Sequence, residues 1–217
     1  MCTSLLNGIE KEYNGERTVY KMKKKILLLM RSVFSLLHIA IAKAFNITGF
    51  FSAPIQDFSC STKFAVGGGG KIRLMKKIHT KRNVIFEADG GTIDIGEGCF
   101  FNNGSMVVAK ERVSIGKRCA FGPNTLIYDH DHNIYSEKDI HDSGFLTSPV
   151  VIGDNVWIGA NSVILRGSVI GNGCVIGAGS VIKGIYPADT VVIQKRNEDI
   201  IAKNISEGRG VHNIDRN

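Results

Sequence analysis

The sequence predicts an all-β fold, a parallel β-helix, from a repeat of six residues. An isoleucine returns at every sixth position, at Ile152, Ile158, Ile164, Ile170, Ile176 and Ile182. A compact Val, Ser or Cys stands four places after each of the first five, and glycine directly follows four of the isoleucines. This period fits neither an amphipathic helix nor a two-sided strand. Each hexapeptide therefore predicts one short strand and a corner, with the isoleucines stacked in the interior.

The repeat and the segment before it resemble the hexapeptide-repeat acyltransferases, in particular the maltose, galactoside and capsular-polysaccharide O-acetyltransferases. Residues 148–159 (SPVVIGDNVWIG) and 131–136 (DHNIYS) carry the resemblance, which extends over residues 84–193. It implies a left-handed β-helix with three hexapeptides per coil, although crossover connections between parallel strands are normally right-handed. Repeats of this kind specify the fold better than the substrate, so function must be argued from the site.

Composition limits the possible partners of the chain. Its 217 residues include 27 basic and 20 acidic ones, for a net charge of +7. Such a charge suits nucleic acid, an anionic membrane surface or an anionic substrate. Because the interleaved aromatic and basic residues of nucleic-acid readers are missing, we expect no nucleic-acid partner. The five cysteines form no C-x-x-C pair, which predicts reduced thiols in a cytoplasmic protein.

Residues 1–63 are predicted to form an N-terminal extension that contains a helix. A basic run, KMKKK, leads into seventeen mostly apolar residues that Arg31 and His38 interrupt. A helix here would place these two residues on one face with Ser35 and Ala42. It is too short and too charged to span a bilayer. Two alternatives remain: the helix lies on the inner face of the membrane, held by its lysines, or it packs on the β-helix or a neighbouring subunit.

Residues 64–197 are predicted to form the β-helix domain and residues 198–217 a polar tail. Residues 46–63 show no repeat and are interpreted as an irregular connection. Hexapeptide spacing begins weakly, resumes after an interruption and slips once by two residues; the positions are Val66, Ile72, Ile78 and Val84, then Ile95, Phe101 and Val107, then Ile115, Phe121 and Ile127. Basic residues between the first of these positions predict a positive face. That face is either simply solvated or attracts an anionic acceptor or membrane.

The repeat stops between Ile127 and Ile152, which predicts a protruding loop at residues 128–149. Repeat proteins place such insertions on their surface, often at the binding face. Three of the six histidines lie in this loop, namely His130, His132 and His141. The loop is therefore the predicted place for chemistry.

Acetyl transfer from a thioester to a hydroxyl needs a base for the hydroxyl proton and hydrogen-bond donors for the oxyanion. Histidine suits the first task, and backbone N–H groups at a β-helix corner suit the second. The sequence contains no Ser-His-Asp or Cys-His motif, so direct transfer without a covalent acyl-enzyme is expected. The resemblance implies that His132 is the base, with His130 as the alternative. Asp129 or Asp131 could orient the imidazole or only stabilise a turn.

The resemblance also implies a site for acetyl-CoA and a saccharide acceptor, formed between the subunits of a homotrimer, with no metal required. The residues implied for acetyl-CoA are the outward-facing Trp157, then Gly159, Ala160, Gly177 and Ala178 along the pantetheine arm, and Lys183, Lys195 and Arg196 at the phosphates. The residues implied for the acceptor are Asn102, Asp131 and Tyr135. Asn102 could instead be a corner residue that tolerates a left-handed backbone. The family usually closes its β-helix with G-N-P-A-[RK], and residues 192–197 (VIQKRN) depart from that motif.

These inferences favour an acetyl-CoA-dependent O-acetyltransferase acting on a hydroxyl of a sugar or a cell-surface polysaccharide precursor. A γ-type zinc carbonic anhydrase-like enzyme is one alternative, although the three loop histidines crowd one segment and do not recur on successive coils. A non-catalytic β-helix scaffold at the membrane is another, and it would account for the basic N-terminal helix.

Overall fold

A computed structural model of the chain describes residue 30 and residues 33–45 and 49–194. The predictions for Lys195, Arg196, the C-terminal tail and the basic run before the helix lie outside the described residues. The described part contains one helix, α1 (residues 33–45), and otherwise strands and turns. Within this part, no helix is both long enough and apolar enough to cross a membrane.

Three parallel sheets of seven, six and six strands form the body of the fold. Sheet A contains β1 (Phe50–Ser52), β3 (Lys71–Leu74), β6 (Thr92–Ile95), β9 (Arg112–Ile115), β14 (Val150–Ile152), β17 (Val169–Ile170) and β20 (Ile185–Tyr186). Sheet B contains β4 (His79–Thr80), β7 (Phe100–Phe101), β10 (Ala120–Phe121), β15 (Trp157–Ile158), β18 (Val175–Ile176) and β21 (Val191–Val192). Sheet C contains β2 (Lys63–Gly67), β5 (Ile85–Asp89), β8 (Met106–Ala109), β11 (Leu126–Tyr128), β16 (Val163–Ile164) and β19 (Val181–Ile182).

The chain runs through sheets A, B and C in turn and then starts the next coil. The result is a left-handed parallel β-helix with three sides, which confirms the predicted fold class. We call the corner where the chain passes from sheet B to sheet C edge BC, and the corner from sheet C back to sheet A edge CA. The strands β12 (His130–His132) and β13 (Phe145–Thr147) form an antiparallel hairpin outside the three sheets.

The interior of the β-helix is filled as the repeat predicts. All six isoleucines of the repeat are buried, and so are the compact residues four places after them. The buried serines among these satisfy corner carbonyls: the Ser162 hydroxyl donates to Gly177 O at 3.1 Å, and the Ser180 hydroxyl donates to the same oxygen at 2.7 Å. The position four residues after each isoleucine therefore accepts a hydroxyl group, because the corner backbone supplies the hydrogen-bond partner that a buried polar group requires.

In the first coils the predicted spacing was wrong by two residues. Leu74 is aligned with Ile95, and Ile72 is aligned with Ile93. The position of the compact residues is thus filled by Ile72, Ile78 and Val84, and the position of the repeat isoleucines is filled by Leu74, Thr80 and Phe86. All six side chains are buried. For the pair of Ile78 and Thr80, the larger aliphatic residue at one position offsets the smaller residue at the other.

The β-helix also begins earlier than predicted. Strand β1 pairs in parallel with β3, so residues 46–63 are not simply an irregular connection and the domain does not start at residue 64. The side chain of Gln56 takes the place of strand hydrogen bonds in this first coil: its amide donates to Met75 O at 2.7 Å, and its carbonyl accepts from Ile78 N at 2.8 Å. A buried glutamine in this role leaves no hexapeptide pattern in the sequence.

Helix α1 packs on the first coil with its more polar face. Ser35, Ile39 and Ala42 are buried there, and the Ser35 hydroxyl accepts a hydrogen bond from Phe58 N at 2.8 Å. The His38 ring lies 5.4 Å from the Phe64 ring, centroid to centroid. The apolar residues on the rest of the helix remain exposed, namely Val33, Phe34, Leu36, Leu37, Ile41 and Phe45.

Candidate functional site

The predicted loop leaves the β-helix at edge CA, between β11 and β14, as the hairpin of β12 and β13. In the hairpin, His130 lies opposite Thr147 and His132 lies opposite Phe145. Because alternate residues of a strand point to the same side, His130 and His132 share one face of the hairpin. The loop therefore presents two imidazoles side by side.

Asp129 anchors the base of the hairpin to the coil before it. Its side chain is fully buried, and its carboxylate accepts hydrogen bonds from Lys110 N at 2.9 Å and Glu111 N at 2.8 Å. The same carboxylate lies 3.0 Å from Nδ1 of His130. Backbone donors of this kind satisfy a buried carboxylate. Asp129 thus holds the turn at Lys110 and Glu111 and orients the imidazole of His130.

A second anchor joins the hairpin to the coil after it. Arg166, which follows β16 at edge CA, donates from Nε to Oδ2 of Asp131 at 2.7 Å. The side chain of Arg166 is only 16% exposed, so its guanidinium is held against the β-helix. Asp131, implied by the resemblance for the acceptor, is therefore tied to the coil through one of its oxygens. Sequence reasoning missed Arg166, because its partner is 35 residues away in the chain.

His130 and His132 differ in accessibility. The side chain of His130 is 13% exposed, and its ring packs edge-on against Tyr128 and Phe145 at centroid distances of 6.0 and 5.2 Å. His132 is exposed and lies 4.8 Å from the ring of Phe145. The ammonium group of Lys110 lies 4.0 Å from the centre of the same phenylalanine ring. The hairpin therefore holds one anchored imidazole and one that faces solvent.

Other polar groups surround this face of the hairpin. Burial, with a smaller contribution from the Glu87 carboxylate, raises the pKa of Tyr128 and keeps its hydroxyl protonated. Tyr135 and His141 lie exposed towards the tip of the loop, outside β12 and β13. Among the described residues, no three His, Cys, Asp or Glu side chains are grouped as ligands of one metal ion would be.

Edge BC carries the residues implied for the pantetheine arm. Gly122, Gly159 and Gly177 stand at equivalent corners of successive coils, since Gly122 N donates to Ile158 O and Gly159 N to Ile176 O, both at 2.8 Å. A Cβ on Gly159 would lie 2.5 Å from Ala178 N, so the corners stack too closely for a side chain at this position. The edge is consequently a smooth backbone surface.

Four further residues of the acetyl-CoA and acceptor predictions fall on this edge or beside it. Ala160 and Ala178 follow the glycines, and Trp157, 57% exposed, stands on β15 just before the edge. Asn102 occupies the equivalent corner one coil before Gly122, because its N–H donates to Phe121 O at 3.1 Å. Its φ is not positive, unlike those of Asn83, Asn124, Asn155 and Asn161, so the alternative explanation by a left-handed backbone is wrong.

The predicted site residues of one chain thus form two groups on different edges. His130, His132 and Asp131 belong to the hairpin at edge CA, whereas Asn102, Trp157 and the Gly-Ala corners line edge BC. Lys183 follows β19 and is exposed at edge CA, away from the smooth edge. Sheet C separates the two groups within one chain.

Comparison with known proteins gives a match for the repeat. Residues 149–184 match the bacterial transferase hexapeptide (six repeats). A protein of Dictyostelium discoideum, whose name assigns it to the acetyltransferases, is 34% identical over 71 residues. The alignment spans 32% of this chain and 36% of the Dictyostelium protein.

Solved structures with a similar arrangement include acetyltransferases. A hexapeptide-repeat acetyltransferase of Vibrio cholerae, complexed with acetyl coenzyme A, is 24% identical over 76% of this chain and 81% of its own, with a TM-score of 0.48. A galactoside acetyltransferase in complex with coenzyme A is 27% identical, with coverages of 62% and 60% and a TM-score of 0.46. A maltose O-acetyltransferase of Clostridium difficile is 26% identical, with coverages of 76% and 82% and a TM-score of 0.46.

The six-residue period in the sequence, the coils from β14 to β19 and the match over residues 149–184 agree in position. The chain therefore carries the hexapeptide repeat of the bacterial transferases, the family that its sequence resembles.

Proposed function

We propose that the protein is an acetyl-CoA-dependent O-acetyltransferase that acts on a hydroxyl of a sugar or of a cell-surface polysaccharide precursor. The observation that carries the proposal is the hairpin, which interrupts the repeat and holds the exposed His132 on two anchors, Asp129 and Arg166. The match to transferase hexapeptides and the likeness to an acetyltransferase over 71 residues support acetyl transfer as the reaction.

In this proposal His132 is the general base. Its imidazole accepts the proton of the acceptor hydroxyl while the hydroxyl oxygen attacks the thioester carbon. Backbone N–H groups stabilise the oxyanion as it forms. When the C–S bond breaks, the imidazolium returns its proton to the departing coenzyme A thiolate, and the products are the acetyl ester and coenzyme A. No step requires a covalent acyl-enzyme.

His132 suits the role of base better than His130 does. A base must come within hydrogen-bond reach of the hydroxyl proton, and His132 is the exposed member of the pair. His130 is mostly buried, with Nδ1 beside the carboxylate of Asp129. We assign His130 and Asp129 to fixing the hairpin, so that His132 is presented in one position.

Edge BC suits the pantetheine arm of acetyl-CoA. Stacked Gly-Ala corners leave a strip of backbone without long side chains, and the indole of Trp157 stands exposed beside it. A narrow, extended ligand can lie along such a strip and exchange hydrogen bonds with the backbone, while the indole covers its apolar part. We place the thioester near Trp157 and the acceptor towards Asn102.

The two edges must come from different chains for this site to form, and we propose a homotrimer. The hairpin of one subunit would then lie against edge BC of the next. Exposed apolar residues on the outer side of sheet A, Val151, Val169 and Ile185, support an association of β-helices at their C-terminal coils.

Acetyl-CoA consumption, measured against a panel of sugars and glycans, tests this proposed function. We expect turnover with at least one saccharide and none with a deoxy analogue that lacks the acceptor hydroxyl. Hydration of carbon dioxide, abolished by a chelator and unaffected by acetyl-CoA, would instead support the carbonic anhydrase-like alternative and contradict the proposal.

A further inference from the structure

The N-terminal end of the β-helix presents an apolar helix face to solvent. Helix α1 uses Ser35, Ile39 and Ala42 to cover the first coil, and it is the opposite side of the helix that carries the large apolar residues. Leu37 is 57% exposed and Ile41 is 48% exposed. An apolar stripe this continuous on a monomer's surface marks a contact with a partner or a membrane.

Cations surround this face at the same end of the molecule. They are exposed on α1 and on the first coils, at Lys43, Lys63, Lys71, Lys81 and Arg82. None of these five forms an ion pair with another described residue. Most carboxylates of these coils are already engaged, since Asp94 faces Arg73 and Arg112, Asp57 faces His79, and Asp89 faces Lys110. Glu87 on β5 forms no ion pair with another described residue, so the five cations outnumber the one carboxylate left without an ion pair. The end of the β-helix is therefore apolar at its centre and positive around it.

A groove connects the apolar face with the cations. It has a volume of about 400 Å³, and it lies between Phe34 of the helix and the first two coils. Phe58 and Cys60 line the groove, and Lys81 and Arg82 form one side of it. An acyl chain fits the apolar part of such a groove, while the two cations suit the phosphate of the same lipid.

We propose that this end of the protein docks on the surface of an anionic phospholipid membrane, with helix α1 lying in the plane of the interface. Arg31 and His38 interrupt the apolar stretch that forms this helix, and charge of this kind suits the interface and not the bilayer interior. The apolar face would enter the acyl boundary, and the cations would meet the anionic headgroups. The basic run that precedes the helix in the sequence adds charge of the same sign. This inference does not depend on the proposed reaction.

Vesicle sedimentation of the full chain tests the proposal. We expect binding to vesicles of phosphatidylcholine with phosphatidylglycerol, little binding to phosphatidylcholine alone, and a loss of binding as salt rises. The double variant Leu37→Asp/Ile41→Asp should bind at least about tenfold more weakly. Its matched control is Val191→Asp/Ile193→Asp, which changes two exposed apolar residues at the opposite end and should bind like the wild type.

A second pair of variants isolates the charge. Lys81→Gln/Arg82→Gln should weaken binding to anionic vesicles by roughly 30-fold, at about fivefold per cation, and leave binding to neutral vesicles unchanged. The matched control is Lys117→Gln/Arg118→Gln, the same dipeptide exposed on a later coil. All four variants should melt like the wild type, because the replaced side chains lie outside the core.

Three outcomes would overturn the proposal. The first is unchanged vesicle binding of Leu37→Asp/Ile41→Asp, and the second is equal binding of the wild type to neutral and anionic vesicles. The third is no vesicle binding by the wild type, together with a smaller sedimentation coefficient for the Leu37 and Ile41 variant. That result would mean that the apolar face contacts a second copy of the chain.

Discussion

At the scale of single residues, the hairpin separates two histidines that look equivalent in the sequence. His130 is packed between aromatic rings and held by Asp129, whereas His132 faces solvent. Their spacing of two residues makes them neighbours on one face, but the contacts of His130 with Tyr128, Asp129 and Phe145 make them different. The assignment of His132 as base depends on this difference and on the family resemblance.

Replacing His132 should abolish most of the activity without harming the fold. We expect His132→Ala to lower kcat by at least about 100-fold, because a general base typically contributes about 10² to 10⁴ in rate. Thermal melting should be unchanged, because His132 lies outside the β-helix. His141→Ala, an exposed histidine at the tip of the same loop, is the matched control and should retain near-wild-type kcat. Near-wild-type kcat for His132→Ala would show that another group is the base.

Packing between successive coils, and not the reaction, excludes a side chain at Gly159. In Gly159→Ala the added Cβ would lie 2.5 Å from Ala178 N, so successive coils must separate at edge BC. We expect the free energy of unfolding to fall by about 1–3 kcal/mol, as is typical of overpacking. Urea denaturation measures the change, with Ala160→Gly at the same corner as the control, expected to cost about 0.5–1 kcal/mol. Equal stability of Gly159→Ala and the wild type would contradict the close stacking of these corners.

At the scale of elements, the docking of α1 should depend on pH through His38. Burial against the first coil lowers the pKa of His38, and a hydrogen bond with the Thr62 backbone raises it by less. Below about pH 6.5 the undocked helix therefore takes up a proton that the docked helix resists. Docking is fully stable above that pH and weakens as the pH falls.

Hydrogen exchange of residues 33–45, followed by mass spectrometry, measures this effect. We expect faster exchange of the helix as the pH falls from 7.5 to 5.5, after correction for the intrinsic rate. His38→Phe keeps an aromatic ring against Phe58 and Phe64 and should remove the pH dependence. A pH dependence that persists in His38→Phe would mean that another group controls docking.

The repeat could be predicted from the sequence because the buried positions of each hexapeptide can be recognised within its own six residues. The burial of the six isoleucines from Ile152 to Ile182 could be predicted without knowledge of distant contacts, and all six are buried. The start of the β-helix could not be found this way, since Gln56 replaces strand pairing with side-chain hydrogen bonds. The pair of Asp131 and Arg166 was hidden for a similar reason. The stacking of coils brings these two residues together, and no local sequence pattern indicates their contact.

At the scale of the whole molecule, edge BC links the two ends of the β-helix. Lys81, Asn102, Gly122 and Gly159 occupy equivalent corners on four successive coils. The distance from the positive end to the coil of Trp157 is therefore three coils, or about 14 Å at about 4.8 Å per coil. An acceptor held at a membrane surface would reach the proposed site along this edge. In a trimer, three apolar helix faces would act together and strengthen membrane binding.

The central claim is that one chain supplies the hairpin and another supplies edge BC. Co-expression of two inactive variants tests it: His132→Ala removes the base, and Ala178→Trp fills the smooth edge at an exposed position. We predict that mixed assemblies recover about one quarter of the wild-type rate of acetyl-CoA consumption, because random pairing leaves one interface in four intact. Mixed assemblies as inactive as either parent would contradict the claim and place the site within a single chain.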